Sequence, residues 1–420
     1  MQAGPAQSAE ALVEDLFRRE SARLIAALAR ALGPSNLALA EDAVQDALLS
    51  AMQAWRFGPP RDPKAWLLKV AKNRAIDLLR RDRRLTQLQP ESDSEQTLIG
   101  SVDSALSPNE DCANQLAMMF SICDSRLSAE THITLILRLL CGLSAKEIAR
   151  AFMLDTQTIE RRLHRGRARL QELGRLHDVT DAAEVATREP SVLHALYLLF
   201  NEGYHGSNLD DPLQPALCAD ALRLSEMLLT LPLPSLVEAH ALSALFCFNA
   251  ARLTTRLDAD GVFVPLADQD RSRWDAHLLA RGVAHLSETA SGTRLTRWHL
   301  EAGISGEHSL AASVEDTNWA RIVVLYDALY ELTPSPVVAL NRALAIAELR
   351  GLTAGRQALL AVARDPRLAA YPFFWLARAD IERRAGRSSE ARPLYLQAIA
   401  LSRSRAERVA FERKLALLQD

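Results

Sequence analysis

Between Gly142 and Leu170 the apolar residues recur at helical spacing, with one short break. This pattern restricts the segment to a pair of helices. Ser144-x-x-Glu147 has the form of a capping box, in which the serine hydroxyl and the glutamate each satisfy an orphan amide, so a helix starts there. Ile148, Ala149 and Phe152 supply its apolar face. Asp155 is placed to cap a second helix, since its carboxylate accepts amide hydrogens and suits the positive helix end. Ile159, Leu163 and Leu170 form the apolar stripe of that helix. Gln157, Thr158, Arg161, Arg162 and Arg165 are left facing outward. Guanidinium and carboxamide groups pair bidentately with guanine and adenine edges, so an arginine-rich second helix after a tight turn is a device for reading the major groove. On these residues alone, a solvated amphipathic helix pair stays open as the alternative.

The charge distribution sharpens the choice. The 420-residue chain has a net charge of only −3. Residues 61–84 nevertheless carry nine Lys/Arg against three Asp, and residues 160–175 carry six Arg against two Glu. Residues 86–112 between them hold six acids and no Lys or Arg. Two basic patches separated by an acidic tether suggest two DNA-contacting modules on one chain.

The five cysteines are odd in number and contain no C-x-x-C pair, which argues for a reducing cytoplasm and against a disulfide framework or a zinc site. No leader-like or membrane-length apolar run is seen, so the expectation is a cytoplasmic protein with no membrane partner. No Walker loop, dinucleotide fingerprint, H-E-x-x-H or nucleophile elbow occurs, so no enzyme activity, catalytic residue, metal ligand or cofactor is assigned.

Helical periodicity dominates the whole chain, and the fold class expected is all-α. The first block, 9–85, has helices over Ala11–Leu32, Ala38–Trp55 and Pro63–Arg83, with proline tolerated at the start of the third. Residues 86–111 read as an acidic flexible linker, and 112–176 as the block that ends in the helix-turn-helix. A polar stretch near His177–Pro190 leads into a large helical block, 191–420. There, Gly386-x-x-x-x-Ala391-x-x-x-Tyr395-x-x-Ala398 has the small and aromatic spacing of a tetratricopeptide repeat, with an imperfect copy around Pro336–Leu360.

Taken together, these segments resemble the bacterial RNA polymerase sigma factors of the sigma-70 family, and more narrowly the extracytoplasmic-function group, which keeps only regions two and four. Glu41-Asp42-Ala43-Val44-Gln45-Asp46-Ala47-Leu48 is similar to the region-two helix that docks on polymerase. Pro63-Lys64-Ala65-Trp66 through Arg81 resembles the helix that melts and reads the −10 element. Gly142–Leu170 resembles region four, which reads the −35 element. Leu199–Tyr204, Arg294–Ala302 and Pro334–Ala343 resemble segments of a subgroup with a long tetratricopeptide-like C-terminal extension. That subgroup usually has a Cys-Cys-His segment ahead of region four. This chain has Ile122-Cys123-Asp124 there, so no metal or redox role is carried over.

The resemblance implies two small helical sigma domains followed by a large tetratricopeptide-like domain that regulates activity or contacts polymerase. It implies core RNA polymerase (the clamp and flap of its large subunits) and promoter DNA as partners, with a regulatory protein or ligand on the C-terminal block. Asp42, Gln45 and Asp46 are the implied polymerase-docking residues. Lys64, Trp66, Lys69, Lys72, Asn73, Arg74 and Arg80 are expected at the −10 element, with lysines on phosphates and Asn73 as a base reader. Trp66 suits either an unstacked base or the core. The −35 readers are Gln157, Thr158, Arg161, Arg162 and Arg165. The linker suits either a solvated tether or an occupant of a nucleic-acid channel. Asn201-Glu202-Gly203-Tyr204 is expected to end a helix at Gly203. Trp298-His299-x-Glu301 reads as a structural His–Glu pair, with a ligand site as the rival. The alternative function is a helix-turn-helix regulator with a ligand- or protein-sensing helical domain.

Overall fold

The computed structural model describes residues 9–32, 36–55, 58–85, 111–172, 181–206, 213–231, 236–292 and 294–418. The acidic linker over 86–110 lies outside them. Among the described residues the chain is all-helical, with one isolated antiparallel bridge between Leu257 and Phe263 and no strand. It divides into two compact units, residues 1–199 with 230–234, and residues 200–229 with 235–420.

In the first unit, α1 (Ala9–Leu32), α2 (Leu37–Ala54) and α3 (Pro63–Leu85) pack through small residues. Ala40, Ala43, Ala47 and Ala51 of α2 and Ala71 and Ala75 of α3 are completely buried. Alanine at these spacings lets the helix axes approach closely, and Leu28 and Leu67 fill the remaining volume. The second group is α4 (Asp111–Ser121), α5 (Ala129–Leu135) with a π-helical turn over Ile136–Leu140, α6 (Ala145–Phe152) and α7 (Thr156–Glu172). Its core is Leu116, Met119, Leu135, Ile136, Leu137, Ile148, Ile159 and Leu170. α1 also packs on α4 and on the π turn, so the two helical groups share one core.

The stretch expected to be a polar connection is helical from its middle onward. α8 (Ala182–Tyr204) begins at Ala182 and carries Pro190 inside it. Its start is tied to the preceding group by Arg188, which donates to the Phe120 carbonyl at 3.1 Å, and by Ser191 against His132 at 3.4 Å. These contacts offset the backbone hydrogen bond that a proline removes.

The second unit contains α9 (Pro215–Leu228), α10 (Leu236–Ala250), α11 (Ala276–Glu288), α12 (Arg297–Leu310), α13 (Trp319–Leu332), α14 (Pro336–Arg350), α15 (Leu352–Val362), α16 (Pro372–Arg384), α17 (Ser388–Ala400) and α18 (Arg405–Ala416). Successive helices pack as neighbours, most extensively α10 on α11, α14 on α15 and α16 on α17. Gly351 and Gly386 make the two connecting turns with φ of 89° and 73°, which glycine adopts without strain. Ala391, Tyr395 and Ala398 are fully buried, as the repeat spacing requires. In the imperfect copy the small residue at the helix contact is Gly355, where an added Cβ would lie 2.3 Å from the Ala347 Cβ.

Two local expectations are corrected. The helix ends one residue past Gly203, at Tyr204, but the glycine is no left-handed cap; it lies inside the last turn and serves a close approach. A Cβ there would meet the Cys218 amide, the Cys218 sulfur and the Gln214 carbonyl at 2.8 Å. His299 and Glu301 do not pair with each other. His299 caps α12, its Nδ1 accepting the Thr296 amide at 3.2 Å, while Glu301 pairs with Arg297 at 2.8 Å.

Candidate nucleic-acid interface

The second helix of the helix-turn-helix is held at its start and from below, and the helix before it is capped in turn. Ser144 Oγ accepts the Glu147 amide at 3.2 Å, and Glu147 Oε2 accepts the Ser144 amide at 2.6 Å, completing the capping box on α6. The turn passes through Met153 in the left-handed region at φ 54°. Asp155 then accepts the Thr158 amide at 2.8 Å and the Thr158 hydroxyl at 2.7 Å, and these bonds hold its carboxyl below the usual range. Beneath α7, Gly166 lies against Leu135, with an added Cβ only 2.9 Å from that side chain.

This leaves Gln157, Arg161 and Arg165 fully outward. Gln157 holds Arg161 through a 2.8 Å hydrogen bond, four residues along the same face. The other two expected readers are half-buried. Thr158 is engaged by Asp155, and the Arg162 guanidinium sits over the Phe152 ring at 5.6 Å. The structure therefore groups three of the five at the exposed surface and places two at its edge.

On α3, Asp62 supplies a cap that sequence reasoning missed, its Oδ1 accepting the Ala65 amide at 3.0 Å ahead of Pro63. Leu67, Ala71, Ala75 and Leu79 point inward. Lys69, Asn73, Arg74 and Arg80 lie on the exposed side. Lys64 is exposed as well but pairs with Glu20 of α1 at 2.9 Å. Lys72 is half-buried. Trp66 is half-buried too, edge-on to Trp55 with ring centroids 5.4 Å apart, so part of its ring belongs to the domain.

On α2, Asp42 and Gln45 are exposed, and Asp46 is half-buried with Arg74 4.0 Å away. One contact had no sequence signal. Glu41 of α2 accepts a hydrogen bond from Arg167 of α7 at 2.5 Å across 126 residues. Burial raises the Glu41 carboxyl pKa above its usual value, and Arg167 only partly opposes this. Among the described residues of these helices no group of side chains is arranged to hold a metal, and no described helix is long and apolar enough to cross a membrane.

Comparison with known proteins now bears on these surfaces. Residues 17–85 match the model of sigma-70 region 2, and residues 125–170 match that of sigma-70 region 4. Residues 188–290 match a family of unknown function, DUF6596. An uncharacterized protein, R00370, of Rhizobium meliloti (strain 1021) is 37% identical over 381 residues, covering 89% of this chain and 88% of that protein. No solved structure matches. The two sigma matches contain the two basic helices and the docking helix in family order, and the remaining match opens a long helical extension. The chain belongs to the sigma-70 family of transcription-initiation factors, as an extracytoplasmic-function-type member with a C-terminal extension.

Proposed function

We propose that this chain docks on core RNA polymerase through Asp42, Gln45 and Asp46 of α2. It then melts and reads the −10 element with α3 and reads the −35 element with α7. The observation that carries this reading is the pair of exposed basic faces on α3 and α7, each inside its own sigma-70 match. Lys69 and Arg80 neutralise phosphates and release counterions, which gives affinity without sequence preference. Asn73, Gln157, Arg161 and Arg165 carry the planar donors and acceptors that distinguish base edges. Thr158, Arg162, Lys64, Lys72, Arg74 and Trp66 flank these groups and orient them or extend the contact. The chain performs no bond chemistry; the polymerase does.

The packing of α1 on α4 adds a requirement. The two promoter elements are about 25 base pairs apart, or ~85 Å along B-DNA. Helix α3 packs on α2 and α7 is tied to α2 through Glu41–Arg167, which keeps the two readers close to each other. The two readers must separate before they can occupy both elements together. The C-terminal unit modulates this step, as a stack of paired helices offers a broad surface for a protein partner or ligand.

The test is transcription from the chain's own upstream promoter by core polymerase, with either the full chain or residues 1–199. Initiation that depends on the added protein supports the reading, and the ratio of the two proteins gives the sign of C-terminal control. Failure of both, together with no complex on core polymerase, rejects it.

A further inference from the structure

The C-terminal unit gathers four side chains that neither DNA readout nor polymerase docking uses. A carboxylate oxygen of Glu226 on α9, the sulfur of Cys247 on α10 and an imidazole nitrogen of His285 on α11 all lie within 4.8 Å of one another. His240 stands two turns before Cys247 on α10, and its Nδ1 is 3.0 Å from the Nδ1 of His285. Cys247 is completely buried, while Glu226, His240 and His285 are half-buried.

The helices are built to bring these groups together. Gly282 lies one turn before His285, and a Cβ there would sit 2.7 Å from the Phe248 ring, next to Cys247. Its missing side chain lets α11 press against α10, so that His285 reaches the sulfur. Arg281 pairs with Oε1 of Glu226, which leaves the second oxygen for another partner. Outer hydrogen bonds of this kind commonly orient a metal-binding carboxylate.

We infer that Glu226, Cys247 and His285, with His240 as the fourth ligand, form a binding site for a divalent transition-metal cation of the zinc class. A thiolate with two imidazoles selects this class over calcium or magnesium, which take oxygen ligands. Around a tetrahedral zinc with bonds of about 2.0–2.3 Å, ligand atoms stand roughly 3.3–3.8 Å apart. The Nδ1 atoms of His240 and His285 stand 3.0 Å apart, near that separation, and donor atoms of Glu226, Cys247 and His285 lie within 4.8 Å of one another, so side-chain rotation must draw the four together. A cation there ties α9, α10 and α11 together and leaves the DNA-reading helices untouched.

The test uses the full chain, stripped with chelator and titrated with Zn(II) or Co(II) alone. One equivalent should survive gel filtration, and Co(II) should show a thiolate charge-transfer band with the intense visible bands of a four-coordinate site. Cys247→Ser should abolish the charge-transfer band, His285→Ala should weaken binding at least 100-fold, and His240→Ala 10- to 100-fold. Cys218→Ser should bind as the parent does. No stoichiometric binding, or a Co(II) spectrum unchanged by Cys247→Ser, overturns the site. If the substituted chains do not fold, hydrogen exchange of the parent chain decides. Zn(II) should protect α9, α10 and α11 selectively, and absence of that protection refutes the inference.

Discussion

Helices α3 and α7 are both basic and both exposed, yet they present charge in different ways. On α7 exposed Arg161 is held by Gln157, and the half-buried guanidiniums beside it are held too, Arg162 over Phe152, Arg167 by Glu41 and Arg169 by Glu172. Its floor is closed by the contact between Gly166 and Leu135. On α3 the exposed face mixes Lys69, Asn73, Arg74 and Arg80, and its half-buried aromatic, Trp66, leans on Trp55. A planar donor held in one orientation loses less freedom when it meets a base edge, whereas a lysine contributes point charge to any phosphate. Under the proposed function, the held guanidiniums suit α7 to sequence discrimination, and the mixed face of α3 suits it to phosphate affinity alongside base reading by Asn73.

The strongest way to break that contrast is at Arg161 and Arg165. Alanine at either should cost about 1–3 kcal/mol of binding to the preferred −35 sequence and relax specificity there. Competition binding with substituted −35 duplexes measures this, and an unchanged preference in both variants removes α7 as the reader. Next is Gly166→Val, which forces a side chain into Leu135 and should destabilise the fold by about 1–3 kcal/mol. Denaturant unfolding reads that loss, and −35 discrimination should fall while non-specific binding persists. Lys69→Ala should weaken binding to all duplexes alike and reduce the slope of log K against log salt by ~0.9. A sequence-selective loss would instead make α3 a specific reader at that position.

The smallest effect concerns Glu41. Its carboxyl pKa is raised in the packed state above the ordinary 4.5. The packed state therefore binds the proton more tightly. The stabilisation of that state linked to this group is complete below about 4.5 and is lost as pH rises through the raised value. A fluorescence distance between α2 and α7 should lengthen slightly over that window, and Glu41→Gln should flatten the response. A contact that tightens as pH rises would reverse the assignment.

Much of α1, α2, α3, α6 and α7 was legible because local rules agree there. Apolar period, caps and turn residues all fall within a few positions of one another, and the observed ends of α1–α3 lie within two residues of those expected. The Asp155 cap and the Ser144–Glu147 box follow from spacing alone. What stayed hidden was set by tertiary approach. Gly203 looks like a helix stop, yet Gln214 and Cys218 press against it inside a helix. His299 and Glu301 look like partners, yet the nearer groups Thr296 and Arg297 take them. The contact between Glu41 and Arg167, and the cluster of Glu226, His240, Cys247 and His285, join residues that no local period connects. Reading cysteine spacing for paired ligands missed the cluster because its donors come from three helices.

The Glu41–Arg167 contact has a consequence for the order of events during assembly. Glu41 precedes Asp42 on α2, so if α2 docks as proposed, a basic surface that settles beside Asp42 would compete with Arg167 for the Glu41 carboxylate. Linkage makes the competition reciprocal: whatever draws Arg167 away also frees the docking face, by the same free energy.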